Sequence, residues 1–132
     1  MDTTTTAEHP GEAFATPYCA TFHAAVELVG RRWTAAIIRS MLYGAVRFSD
    51  ILSQIPGLSD RLLSERLREL EAEGLVTRTV HPTVPVRVEY CLTEKGRGLR
   101  DVLVAFERWA GEWAAAEGTP HVHEPARNPS HD

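Results

Sequence analysis

Apolar residues recur along this chain at a spacing that changes twice. Phe22, Val26 and Val29 lie three and four positions apart and Gly30 follows, which predicts a short helix with a stop. Trp33, Ile37, Ile38, Met41 and Leu42 form a second helical stripe closed by Gly44. Phe48, Ile51, Leu52 and Ile55 share one face of a third helix, ended by Pro56-Gly57. Ser59 stands where an N-cap belongs, and the helix after it turns Leu62, Leu63, Leu67 and Leu70 inward until Gly74 stops it. From Leu75 to Val80 the period becomes two, the mark of a strand. His81-Pro82-Thr83-Val84-Pro85 is a turn, and Val86 to Leu92 alternates again as a returning strand. The helical period then resumes. Thr93 caps a last helix carrying Leu99, Val102, Leu103, Phe106, Trp109, Ala110 and Trp113. Read as one piece from Thr93 to Ala116, it is about 24 residues and roughly 36 Å long.

This order predicts a mainly α fold with a small β hairpin (α+β). Two helices, a helix–turn–helix pair, a hairpin and a long helix make the layout of a winged helix-turn-helix. Residues 1–17 and 118–132 show no periodicity and read as a mobile arm and a mobile tail around one domain at 18–117. A chain of 132 residues suits one such domain. No apolar run approaches the roughly 18 residues of a membrane span. The first residues lack the basic start and apolar stretch of a signal peptide, so the expected location is cytoplasmic.

Charge modifies this picture. The formal net charge is −4, which at first argues against a polyanionic partner. Its distribution reverses the argument. Residues 1–30 sum to −4, residues 31–100 to +4 and residues 101–132 to −4, so a basic centre lies between acidic flanks. Its cations are arginines apart from Lys95, and arginine forks suit phosphates and guanine edges.

In a winged helix the second helix of the pair enters the DNA major groove. With the leucines inward, Ser59, Asp60, Arg61, Ser64, Glu65 and Arg68 are left on the outer side. Arg61 and Arg68 can fork onto guanine or phosphate, Ser64 can contact either, and Glu65 can accept from cytosine. The same residues also make an ordinary solvated face in which Arg61 pairs with Glu65. Winged helices serve, too, as protein-interaction modules that read no DNA, and this alternative stays open. Trp109 and Trp113 lie beyond the stretch of helix needed to cover the core, so a second copy of the chain is expected to cover them, unless both fold back on the first helix of the same chain.

The run LVGRRWTAAIIRSML, followed by RFSDILSQIPGLSDRLLSERLRELEAEGLVTRTVHPTVPVRVEYCLTEKGRGL, resembles the HxlR-type transcriptional regulators, relatives of the MarR type. The Gly-x-x-Trp at Gly30–Trp33, Arg47-Phe48, LSERLRELEAEGLV and VPVRVEYCLTEKG occur in the family's order and spacing, across about residues 18–113. The resemblance implies a homodimeric transcription factor that binds double-stranded DNA at an inverted repeat, repression being the commoner outcome. It implies a dimer interface from the first and last helices, with Phe22, Phe106, Trp109 and Trp113. Arg87 would lie in the wing, near the minor groove or backbone. Independently of the resemblance, His81, Lys95 and Arg47 are expected as further backbone contacts, simple solvation of the turn being the other reading of His81.

Two routes for a signal are open. Members of this family often carry a cysteine near the start of the first helix, and in some it senses oxidants or electrophiles. Cys19 occupies that region, where the helix dipole favours negative charge. It precedes Trp33 by one position more than is usual in the family, and Ala20 replaces the usual proline. The second route is a small-molecule effector held among Phe22, Trp33, Tyr43, Phe106 and Trp109, unless these aromatics are simply core. Cys91 on the returning strand is expected to be structural or exposed. His121 and His123 lack the cysteine or carboxylate neighbours of a metal site. No phosphate loop, nucleophile elbow or paired carboxylates appear, so neither catalysis nor a cofactor is expected.

Overall fold

The first helix, α1, runs Ala20–Val29 and starts at Cys19, whose Sγ accepts a hydrogen bond from the Phe22 amide at 3.5 Å. A thiol thus does the work that serine or aspartate does at most helix starts. The computed structural model describes residues 14–118, and the chain divides after Arg31 into two units. In the first unit α1 buries none of its residues. His23 Nε2 lies 3.5 Å from Glu27 Oε2, one turn along α1, and the rings of Tyr18 and His23 stand 5.7 Å apart. Most of the arm and tail read at 1–17 and 118–132, and His121 and His123 with them, lie outside the described residues.

The second unit is built around α2, Thr34–Tyr43, which buries Thr34, Ile37, Ile38, Ser40 and Met41. Helix α3, Phe48–Gln54, and helix α4, Asp60–Ala72, are the helix–turn–helix pair. Ile51 of α3, Leu58 of the turn and Leu62, Leu63, Leu67 and Leu70 of α4 close over Ile37 and Ile38, which are inaccessible to solvent. Each buried leucine contributes roughly 1.5–3 kcal/mol of transfer free energy. Ser40, buried among them, donates to Gln54 Oε1 at 2.6 Å and so ties α2 to the end of α3.

Strands β1, Val76–His81, and β2, Arg87–Leu92, pair antiparallel from Val76 opposite Leu92 to His81 opposite Arg87. Each begins one residue later than the alternation predicts. The Tyr90 amide donates to the Val46 carbonyl at 2.8 Å, which fastens the hairpin to the segment between α2 and α3.

The expectation of one helix from Thr93 to Ala116 is corrected. A four-residue helix, α5, covers Glu94–Arg97, and α6 covers Arg100–Ala116. The break follows from two obligations in different places. α5 is pressed so closely on the start of the hairpin that a Cβ on Gly96 would come 2.3 Å from the Leu75 carbonyl oxygen. α6 instead packs along α2. One straight rod cannot do both, and the chain bends at Gly98-Leu99.

Candidate nucleic-acid interface

Helix α4 is fixed at both ends and in the middle. At its start Ser59 Oγ accepts from the Leu62 amide at 3.1 Å. At its end Gly74 takes a positive φ of 78°, a conformation that favours glycine, and the chain turns into β1. The carbonyls left over there are then satisfied from across the hairpin. Thr93 Oγ1 donates to Gly74 O at 2.6 Å, and Lys95 Nζ donates to Glu73 O at 2.8 Å. The same Thr93 oxygen accepts from the Gly96 amide and starts α5.

In the middle stands Arg66, which the inward set of leucines omits because it is charged. It is buried, and its Nε donates to the Arg32 carbonyl at 2.9 Å. Its Nη1 lies 3.6 Å from Glu69 Oε2 and 3.8 Å from Glu65 Oε1. The signal was in the spacing: Arg66 is one turn from both Leu62 and Leu70, inside the apolar stripe. The carbonyl it holds belongs to a constrained turn. Trp33, next in the chain, has φ 78°, a left-handed conformation rare for a bulky side chain, and the Arg32 guanidinium lies 4.9 Å from its ring centroid.

The outer face of α4 carries the expected set. Arg61 and Arg68 are exposed, and Ser64 and Glu65 are half-buried. Arg61 Nη1 donates to Glu65 Oε2 at 2.9 Å, so Glu65 stands between an outer and an inner arginine. Arg68 forms no ion pair with any described residue. Ser59, also in the set, is spent on the cap.

On the hairpin, Glu89 gathers the wing residues. Its Oε1 accepts from His81 Nε2 at 3.1 Å and its Oε2 from Arg87 Nε at 3.3 Å. The hydrogen bond from His81 holds the Glu89 carboxyl below its ordinary range, and the charge of Arg87 adds to this. Residues 82–86 between the strands are exposed. Arg47 is exposed at the N-cap of α3, where the first helix of such a pair passes the DNA backbone. Lys95 is exposed too, though its ammonium already serves Glu73. Sequence reasoning passed over Arg78, exposed in mid-β1, because strand alternation alone does not say which face is open.

With the geometry in place, the HxlR-like helix-turn-helix family model matches residues 28–118. The chain belongs to this family. It is 50% identical over 95 residues to the uncharacterised HTH-type transcriptional regulator YvaP of Bacillus subtilis, covering 72% of this chain and 88% of YvaP. It is 41% identical over 95 residues to the HTH-type transcriptional regulator YodB of the same organism, covering 72% and 85%. The reduced form of YodB superposes with a TM-score of 0.66 over 73% of this chain and 94% of YodB, at 41% identity. YodB has also been solved after diamide treatment and with quinone bound. The redox regulator HypR in its reduced form superposes with a TM-score of 0.67 at 34% identity, over 75% of this chain and 99% of HypR. The present HxlR-like protein is accordingly a transcriptional regulator of helix-turn-helix type, with an α+β winged-helix fold.

Each unit of the HxlR-like chain exposes apolar surface. Phe22 and Val26 are exposed on α1, and Val102, Phe106, Trp109 and Trp113 on α6, where Phe106 and Trp109 stack at 5.8 Å. Tyr43, assigned to an effector pocket on sequence, is 85% exposed on α2. It lines an open groove of about 420 Å³ with Arg39, Ser40 and Gln54. Cys19 and Cys91 are both exposed free thiols. Among the described residues no helix is long and apolar enough to cross a membrane, and no histidine, cysteine and carboxylate cluster could hold a metal ion.

Proposed function

We propose that this protein binds DNA sequence-specifically as a homodimer on an inverted repeat and represses the neighbouring promoter by occupying it. The observation that carries this reading is α4: a helix immobilised at three places that offers Arg61, Ser64, Glu65 and Arg68 outward. A rigid helix keeps its base contacts in register with little ordering cost on binding. Glu65 orients Arg61, and Arg68 is available to a guanine edge or a phosphate. Arg47, Arg87 and His81 take the backbone on either side. The homodimer reading is supported by Phe106, Trp109 and Trp113, an aromatic surface of a kind enriched at interfaces.

The regulator responds to oxidants or electrophiles through Cys19. Two facts support this: the thiol is exposed at a helix start, and YodB is known in diamide-treated and quinone-bound forms. Addition to a quinone would form one sulfur–carbon bond, the ring gaining the thiol hydrogen as it becomes a hydroquinone. The N-cap bond from Phe22 would then be given up.

Sequencing of genomic DNA bound by the purified protein tests the main reading. Recovery of a common inverted repeat, shifted by the protein as a dimer, is the expected result. Recovery of random DNA would sink it and leave the protein-interaction alternative. For the signal, diamide or a quinone should release the operator from the wild type and not from Cys19→Ser. Equal release from both would reject Cys19 as the sensor.

A further inference from the structure

Helix α6 rests on its own unit along a narrow line. None of its residues is buried, and its packing is concentrated on α2. Leu103, Ala110 and Ala114 are half-buried, and at about 100° per residue they share a face with Glu107. The exposed Val102, Phe106, Trp109 and Trp113 lie roughly a quarter turn around the helix from that face. A face whose half-covered residues are one leucine and two alanines has little relief, so side-chain interdigitation alone does little to stop α6 from rolling or sliding.

A fork supplies what the packing lacks. Arg39 of α2 donates through Nε to Glu107 Oε1 at 2.8 Å and through Nη2 to Oε2 at 3.0 Å. Two parallel bonds between planar groups fix direction as well as distance. Arg39 gains its proton affinity, and Glu107 loses its own, chiefly through this hydrogen bond. Nearer the start of α6, Arg100 Nη2 reaches the Leu42 carbonyl at 3.5 Å, a second tie to α2. On its other side α2 is core, with Ile37, Ile38 and Met41 buried beneath α3 and α4. The fork therefore connects the aromatic face of α6 to the body that carries α4.

We propose that Arg39 and Glu107 are a positioning pair that sets the angle between the reading helix and the dimerising face, and through it the half-site spacing the protein accepts. This rests on the homodimer reading above. In a two-fold dimer an error in that angle occurs in both protomers and displaces the two α4 helices relative to each other. The two half-sites of such a dimer lie about one helical turn, roughly 34 Å, apart, so a small roll is enough to put one helix out of its groove. The pair is exposed, and exposed pairs add little to fold stability, so its role separates cleanly from folding.

The test places a spin label at Glu71→Cys, near the end of α4, in a Cys19→Ser/Cys91→Ser background. Pulsed electron resonance then reads the distance between the two labels, and sedimentation reads the dimer. The starting protein should give one narrow distance. Glu107→Gln and Arg39→Lys, the latter keeping the charge but not the fork, should broaden it with melting temperature and dimerisation unchanged. The same variants should lose about tenfold discrimination against an operator whose half-sites are moved one base pair apart. Arg39→Glu combined with Glu107→Arg should restore both readouts. A dimer whose distance and spacing preference are unchanged in the single variants would overturn the proposal alone. A starting protein that sediments as a monomer would overturn the homodimer reading and this proposal with it.

Discussion

Helices α4 and α6 are similar in length and opposite in habit. α4 buries four leucines and an arginine, is capped at its start and is hydrogen-bonded at its end from across the hairpin. α6 buries nothing, exposes two tryptophans and is held by a fork and a carbonyl contact. The first is finished by its own chain and leaves its polar side open. The second keeps its apolar side uncovered. Apolar area drives association and directed polar groups select among partners, so under the function proposed above the contrast separates assembling from reading.

The largest effect should fall on α4. Leu67→Ala is expected to cost about 2–5 kcal/mol of fold stability by urea denaturation, because the residue is fully enclosed. An equally large loss for Trp109→Ala would break the contrast, since that ring would then belong to the monomer's own core. The contrast instead requires Trp109→Ala to leave the monomer's melting unchanged and weaken the dimer by about 2 kcal/mol, as a buried interface aromatic would. Analytical ultracentrifugation reads this directly.

Smaller, and confined to DNA, is the effect of Arg68→Ala, about 1–3 kcal/mol of operator affinity with the dimer intact if it reads a guanine. Arg87→Ala should weaken all sequences alike and flatten the salt dependence of binding. Gel shifts against operator and scrambled duplexes at two salt concentrations distinguish the two. A loss for Arg68→Ala that is equal on both duplexes would move it to the backbone-contacting group.

The smallest effect concerns acid. Glu89 and Glu107 both have folded-state values below their ordinary range, each held there first by a hydrogen bond. Their contribution is complete above the ordinary carboxylate range and is lost as pH falls through and below it. Glu89→Gln should therefore flatten the acid limb of a stability profile and leave neutral pH nearly unchanged. A profile that stays as steep as in the wild type would mean that the wing residues titrate independently of the fold.

The regular part of the fold was legible because period and punctuation agree. The Leu62–Leu70 stripe, the Ser59 cap and the two alternating strands each state one answer, and the structure follows them. Arg66 was missed because its type was weighed above its position. A long side chain can lie in a leucine stripe when a carbonyl awaits its end, and that carbonyl is 34 residues away in the chain. The break before α6 was missed for a related reason. Gly96 reads as a weak helix residue, and what demands a glycine there is the Leu75 carbonyl, a contact no local window contains. The outer face of α4 was legible as a set of exposed and half-buried residues. That Glu65 would be shared between Arg61 and Arg66 was not, because helix spacing allows several pairings and burial chooses among them.

The hydroxyl of Thr93 receives the Gly96 amide and gives its own hydrogen to Gly74, so one atom joins the exit of the hairpin to the end of α4. Under the function proposed above, α4 and the wing are the reading elements, and this link would hold them as a single jaw. On DNA, a jaw that cannot open leaves the adjustment to the duplex. Base steps that bend easily between the points of contact would then be favoured without being touched, and operator stiffness would join the base edges as something the protein selects.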